Sequence, residues 1–273
     1  GLTYKADCDK LTYSIKYKTI KEWKDNLKVS QWTKRSVLRV IASHYDPLGL
    51  ASPITIRPRR LLQKIWSMST GWDDPLDAAT QAAWESSLED LLHMGVLSFP
   101  RWLGLTGDLP GELHIYCDAS EETYACAVYL RVVTPNGVTT ELMGAKARVT
   151  PIKTQSVSRS ELDACVLGTR MAKHFKRAYK TEDSKTYYYT DSKNALFWIT
   201  AIPKKLKVFV QRRVAEIQRA SHGNQWGYVH TSENPADIPT RDVTAEELAA
   251  NPLWTKGPTY LSKPDYRFEP FKA

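Results

Sequence analysis

Four acidic residues stand where secondary-structure elements meet. Asp118 ends the run LHIYCD, Glu161 opens an apolar helical stripe, Asp191 ends KTYYYTD, and Asp237 lies in the turn-forming Asn234-Pro235-Ala236-Asp237. Carboxylates drawn from separate elements suit hard cations such as Mg²⁺ or Mn²⁺, which take oxygen ligands and keep several waters. Two such ions about 3.5 to 4 Å apart support in-line hydrolysis of a phosphodiester. Each acid also has an ordinary explanation. Asp118 suits a turn after a strand, Glu161 completes a capping box with Ser158, Asp191 caps the next helix, and Asp237 suits a turn or N-cap. Their joint order, each at an element boundary, is what a two-metal nuclease requires.

The elements that must carry these acids can be read from periodicity. LTYSIKYKT, residues 11–19, alternates as a half-buried strand and suggests a hairpin. Thr33 precedes KRSVLRVIASHY, whose Val37, Leu38, Ile41 and Ala42 recur at helical spacing until Asp46-Pro47-Leu48-Gly49. Two further helices are expected over 59–66 and 78–93. The Gly- and Pro-rich stretch 100–110 marks a boundary, giving regions 1–105, 106–250 and a tail or linker at 251–273. From Glu112 the pattern turns to strands: LHIYCD, YACAVYLRVV and TELMGAKARV, a candidate meander. A helix over 159–179, the strand KTYYYTD, helices over 194–200 and 207–220, the strand QWGYVHT and a short helix over 244–250 complete the order. That order belongs to mixed α/β folds with helices covering the sheet.

Composition sets wider bounds. The chain has 273 residues, 42% of them hydrophobic, a net charge of +8 and a pI near 9.2. Such a surplus of cations favours a polyanionic partner. Cys8, Cys117, Cys126 and Cys165 show no C-x-x-C spacing, and three of them fall in apolar patterns, which fits a reducing, intracellular setting. No signal core appears and no apolar run approaches the ~18 residues of a membrane span, so no membrane is expected. Zinc spacing, a Walker loop and a dinucleotide glycine loop are all missing. The chain opens on Gly1 and runs straight into strand-like sequence, which reads as a piece of a longer polypeptide with neighbouring domains.

Four segments together carry a resemblance. Tyr116–Ser120 (YCDAS), Ser158–Ala164 (SRSELDA), Tyr189–Lys193 (YTDSK) and Asn234–Arg241 (NPADIPTR) resemble the acidic motifs of retroviral and retrotransposon ribonuclease H. More narrowly, the chain resembles the polymerase polyprotein of BEL/Pao long-terminal-repeat retrotransposons. The matching segments include TKRSVLRVIASHYDPLGLASPITIRPRRLLQKIW, GWDDPL, AKARVTPIKTQSVSRSEL and FVQRRVAEIQ, and run from about Thr33 to Leu261. The resemblance implies a ribonuclease H-like mixed five-stranded sheet flanked by helices, preceded by a smaller, mostly helical connection or thumb-like region. It places the chain after a reverse transcriptase and before an integrase, in the cytoplasm within a virus-like particle. It implies cleavage of the RNA strand of RNA/DNA hybrids with two Mg²⁺ or Mn²⁺ ions held by Asp118, Glu161, Asp191 and Asp237. His230 falls in the loop where relatives carry a proton-transferring or product-releasing histidine, although Val229-His230 replaces their usual Val-Pro. An exposed loop histidine is the plainer reading.

Substrate contacts are expected beside these motifs. Lys204, Lys205, Lys207, Arg212 and Arg213 interleave with apolar residues, as in a helix with a basic face, though a solvated surface gives the same pattern. Ser120, Ser160, Ser192 and Asn194 are candidates for reading the minor groove, where the 2′-hydroxyl marks RNA. Trp198 and Trp226 read as core. Three rival readings fit the sequence less well. An aspartic peptidase would need Asp-Thr-Gly or Asp-Ser-Gly, and neither triplet occurs. An integrase core places its glutamate last, whereas Glu161 comes second. A silent domain of the same fold, binding nucleic acid or protein without cutting, has no obvious reason to keep four mutually repelling acids.

Overall fold

The computed structural model describes residues 1–14, 31–105, 111–152, 156–179 and 185–272. They form two compact units: Gly1–Pro47, Ala51–Arg101 and Asp242–Ala250 in the first, and Leu48–Leu50, Trp102–Arg241 and Asn251–Ala273 in the second.

In the first unit β1 (Leu2–Lys5) and β2 (Lys10–Tyr13) make an antiparallel hairpin, and β3 (Ser98–Pro100) pairs with β2. The alternation expected over 11–19 is a strand through Tyr13, while residues 15–19 lie outside the described residues. Helix α1 (Lys34–Ser43) starts at Thr33, whose side chain and that of Ser36 form a reciprocal capping box. Helix α2 (Ser52–Ser67) begins seven residues before the expected Arg59. Pro53 falls in its first turn, where a missing N–H costs nothing, and Pro58 is accommodated inside the helix. Helix α3 (Ala78–His93) is capped by Asp77, as its side chain accepts from the Thr80 amide. The three helices bury Val37, Ile54 and Leu88, with Trp32 edge-on to Trp84 at 5.5 Å. Residues 242–250 join this unit through Asp242, which pairs with Arg57 and Arg60.

The second unit is built on a five-stranded sheet of order β6-β5-β4-β7-β8. Strands β4 (Glu112–Ala119), β5 (Thr123–Thr134) and β6 (Gly137–Val149) form an antiparallel meander. β7 (Thr186–Thr190) runs parallel to β4, and β8 (Trp226–Tyr228) parallel to β7. Helices α4 (Val157–Tyr179), α5 (Lys193–Thr200) and α6 (Val208–Ala220) cover one face. This is a ribonuclease H-like α/β fold.

Alternation along β4 divides its side chains between the two faces. Leu113, Ile115 and Cys117 enter the apolar core beneath α4, where Cys126 and Cys165 are also buried. His114, Tyr116 and Asp118 point the other way. That second face is closed by residues 251–272, which sequence alone suggested were a tail. Tyr260 and Tyr266 hydrogen-bond Tyr116 and Tyr189 through their hydroxyls, each at 2.9 Å. Tyr129 donates to the Trp254 carbonyl at 2.8 Å, and the buried Arg131 donates to the carbonyls of Leu261 and Lys263 and to Glu112. His114 is enclosed against Tyr189 and Glu112, and burial pushes its imidazole toward the neutral form. Near the opposite edge, the Ala145 amide donates to the Leu48 carbonyl at 2.8 Å. Gly49, at φ +69°, is required there, because a Cβ would lie 1.8 Å from the Ala145 carbonyl oxygen.

Gly168 sets the height of α4 above the sheet. A Cβ at this position would stand 2.5 Å from Cys117 Sγ and 3.0 Å from Ile115 Cγ2, both fully buried. Overpacking of this kind costs about 1 to 3 kcal/mol. Gly168→Val is expected to lower stability in urea denaturation by at least that amount and to displace the helix that carries Glu161. Unchanged stability would show that the helix is free to lift.

Candidate active site

The pairing of β4 with β7 fixes where the first and third acids meet. Cys117 lies opposite Thr190 in the parallel register, so the residues that follow them, Asp118 and Asp191, emerge at the same edge of the sheet. Asp118 is buried, at 7% exposure. Burial raises its carboxyl most, Asp191 and Asp237 raise it further, and hydrogen bonds from the Ala119 amide and Thr240 only partly oppose them, leaving it at about 7.

The fourth acid arrives on the 3₁₀ stretch Pro235–Thr240. Asn234, wholly buried, anchors that stretch: its Nδ2 donates to the Cys117 carbonyl at 3.1 Å, and its Oδ1 accepts from the Ala236 amide at 3.2 Å. Thr240 closes the turn, with its hydroxyl 3.2 Å from Asp118 Oδ2 and 3.4 Å from Asp237 Oδ1. Asp237 also pairs with Arg241 at 2.6 Å. Glu161 is the fifth residue of α4, just past its first turn, and accepts from the Ser192 hydroxyl at 2.5 Å. Its carboxyl is raised by burial, with Asp191 adding to the shift and Ser192 opposing it. Asp191 in turn accepts from the Thr231 hydroxyl at 2.6 Å.

Asp191 and Asp237 are therefore both in electrostatic reach of Asp118, and Asp191 is in reach of Glu161. Among the described residues, no group of three or more His, Cys, Asp or Glu side chains is arranged to hold a metal ion. The side chains are instead turned onto Thr240, Arg241, Thr231 and Ser192. The donor set still fits a hard divalent cation, because it is all carboxylate oxygen and its repulsion is only partly compensated.

The remaining expected residues are placed unevenly. Ser192 is 6% exposed and caps α5 through the Ala195 amide besides holding Glu161. Ser120 bonds Thr123 within the β4–β5 turn, and Asn194, exposed, reaches Ser158 at 3.4 Å. Ser160 does not fit a groove contact, because α4 turns it inward to 1% exposure, with no hydrogen-bond partner for its Oγ among the described residues. His230 is exposed and caps the turn Thr231–Glu233, its Nδ1 lying 2.8 Å from Ser232 Oγ. Lys204 and Lys205 lie on a 3₁₀ turn, and Lys207 is the N-cap of α6, so these three precede the helix rather than line its face. Arg212 is exposed, while Arg213 is ion-paired with Asp163 and stacked on Phe209. Trp226 is fully buried and donates to Ser221 at 3.0 Å, and Trp198 packs against the core. Asn234, Thr240 and Thr231 went unassigned in the sequence, although NPADIPTR carries the Asn-Pro signal of a side-chain-closed turn.

The model of the Pao retrotransposon-like RNaseH-like domain family matches residues 33–192. The chain belongs to that family. No curated protein matches the sequence. Among the solved structures similar to it are two of known description. One is the RNase H1 of the halophilic archaeon Halobacterium salinarum NRC-1, at 16% identity and a TM-score of 0.27, covering 45% of this chain and 89% of that one. The other is a foamy viral protease-reverse transcriptase in complex with dsDNA, at 13% identity and a TM-score of 0.28. In that case 68% of this chain aligns with 40% of the viral one. Among the described residues, no helix of this RNaseH-like chain is long and apolar enough to cross a membrane.

The acid cluster predicts a pH signature. Asp118 has its folded pKa raised above the unfolded value, so its relative contribution to stability is fully present below about pH 4 and is lost as pH rises through about 7. In chelator, urea-denaturation stability should fall across that window, and Asp118→Asn should flatten the fall and exceed wild type at pH 7.5. A variant with the wild-type pH slope would mean that Asp118 is not under this strain.

Proposed function

We propose that the chain is a metal-dependent nuclease that hydrolyses the RNA strand of RNA/DNA hybrids, within a retrotransposon reverse transcriptase polyprotein. The observation that carries this reading is the shared strand edge of Asp118 and Asp191, joined there by Asp237, with Glu161 beside Asp191. Asp118, Glu161, Asp191 and Asp237 would hold two Mg²⁺ or Mn²⁺ ions, which when bound would neutralise the scissile phosphate and activate the attacking water.

The chain's own residues prepare that centre. Ser192 aims the Glu161 carboxylate, Thr231 aims Asp191, and Thr240 ties Asp118 to Asp237. Asn234 fixes the loop of the fourth acid to the strand of the first. Lys204, Lys205 and Lys207 would meet the phosphate backbone as exposed cations. A reverse transcriptase domain before this chain and an integrase after it complete the proposed polyprotein. The Arg241–Asp237 ion pair favours one second reading, a domain that binds the hybrid without cutting, because the guanidinium occupies a carboxylate that a metal would need.

A labelled RNA/DNA hybrid incubated with Mg²⁺ or Mn²⁺ separates the two. Cleavage confined to the RNA strand is expected, with single-stranded RNA, duplex RNA and duplex DNA left intact. Asp191→Asn should lower the rate by more than about 100-fold. Ser192→Ala should lower it by about 10- to 100-fold, the usual cost of losing a group that orients a metal ligand. A folded wild-type protein that binds the hybrid and leaves it whole with either metal would establish the silent reading instead.

A further inference from the structure

Glu161 is carried close to the N-terminal end of α4, the part of a helix most prone to fray. What holds that end is not in any of the acid motifs. Arg159 and Asp163 lie two residues before and after Glu161, about one turn apart on a single face of the helix, while Glu161 is about 200° around from either. The face they share meets the beginning of α6. The Arg159 guanidinium lies 4.9 Å from the centre of the Phe209 ring, and that of Arg213 lies 3.4 Å from the same centre. Arg213 in turn pairs with Asp163. One half-buried ring is thus held by a cation from each helix, and such contacts gain strength where water is shut out.

The contacts continue along both helices, because Arg170 of α4 makes a two-pronged pair with Glu216 of α6 at 2.7 and 3.0 Å. Its polarity is the reverse of the Asp163–Arg213 pair. The outer pair, at 57% and 37% exposure, adds little stability, whereas Asp163 and Arg213, at 16% and 28%, are better shielded. The best-attested use of such pairs is to fix register. A slip of α4 by one turn would set Arg159 against Arg213 in one direction and Leu167 against it in the other. On the far side of the helix, the Ser192 hydroxyl donates to Glu161 at 2.5 Å. The end of α4 is therefore gripped from two sides, by α6 behind and by Ser192 in front.

We infer that Phe209 is a positioning residue for the candidate active site: by holding Arg159 and Arg213 it fixes the end of α4 from which Glu161 reaches toward Asp191. The inference rests on the reading of Glu161 as a metal ligand of a nuclease. It gives a task to the first residue of FVQRRVAEIQ, a segment otherwise read only as a basic face.

The test compares the whole wild-type chain with Phe209→Leu, which keeps apolar bulk and loses the ring, and with Phe209→Tyr, which keeps the ring. Hydrogen exchange without metal comes first. In Phe209→Leu the amides of residues 157–163 should exchange about tenfold faster, the local opening that loss of a shielded cation–π contact allows, while those of β4 and β7 keep wild-type rates. Phe209→Tyr should match wild type. Mn²⁺ affinity, measured by calorimetry, should fall about tenfold in Phe209→Leu, the lower end of the cost of losing a ligand's supporting partner. The Kd for a labelled RNA/DNA hybrid in chelator should not change. Arg159→Gln removes one of the two cations and leaves the ring in place, so it should shift exchange and Mn²⁺ affinity the same way even if Phe209→Leu does not fold. Wild-type exchange over 157–163 in these variants, or faster exchange spread evenly along the chain, would overturn the proposal. So would a loosened helix end with wild-type Mn²⁺ affinity, or a Phe209→Tyr protein that behaves like Phe209→Leu. Cleavage with Mn²⁺ keeps the two hypotheses apart. A wild type that binds no Mn²⁺ and never cuts, yet has exchange at 157–163 that depends on the ring, retains the bracket and loses the nuclease reading. One that cuts, with exchange and Mn²⁺ affinity indifferent to Phe209 and Arg159, does the reverse.

Discussion

Like charge gathered at one edge of a sheet is the constraint around which the second unit is organised. Two parallel strands in register deliver Asp118 and Asp191 to adjacent positions, and nothing in a strand's geometry softens their repulsion. The surrounding chain absorbs it piecemeal: Thr240 between Asp118 and Asp237, Thr231 on Asp191, Ser192 on Glu161, and Arg241 on Asp237. Hydroxyl donors of this kind compensate a carboxylate only in part, so Asp118 remains raised to about 7. The fold thus maintains an electrostatic demand that a cation would satisfy.

Holding that edge rigid depends on both faces of the sheet. On one, Gly168 lets α4 settle onto Cys117, which fixes the helix that presents Glu161. On the other, stacked Tyr116 and Tyr189, with ring centres 4.5 Å apart, sit under the C-terminal segment through a network of phenols. The cost of burying Arg131 there is offset by Glu112 and two backbone carbonyls, which accept its donors. Asp118 shares this second face, so the chain beyond residue 250 supports the strand from which it emerges.

Local pattern made much of this architecture readable. The meander, the helices α3 to α6 and the order of the four acids all follow from alternation, helical spacing and turn residues within short windows. What escaped was set by distant partners. Residues 251–272 carry no strong periodicity, and their aromatic residues gain meaning only from contacts such as Tyr260 with Tyr116, 144 positions away. Helix α2 extends to Ser52, ahead of the expected Arg59, because Pro53 lies in a first turn, where a helix tolerates proline, and Pro58 is accommodated within it. Local pattern gives Arg213 as one cation of a basic face, whereas Asp163, 50 residues earlier, pairs with it. The acids themselves could be named in advance, whereas the hydroxyls and the buried Asn234 that aim them act across loops no periodicity describes.

The chain's path between its two units carries a consequence for its inheritance. Leu48–Leu50 and Asn251–Ala273 are members of the second unit, and Asp242–Ala250 of the first, so neither unit is a continuous stretch of sequence. A single crossover between two related elements, wherever it fell, would leave at least one unit assembled from mismatched parents. The two units are therefore bound to travel together through recombination, and substitutions in Leu48–Gly49 or in the last twenty residues are judged by selection on a sheet encoded far from them.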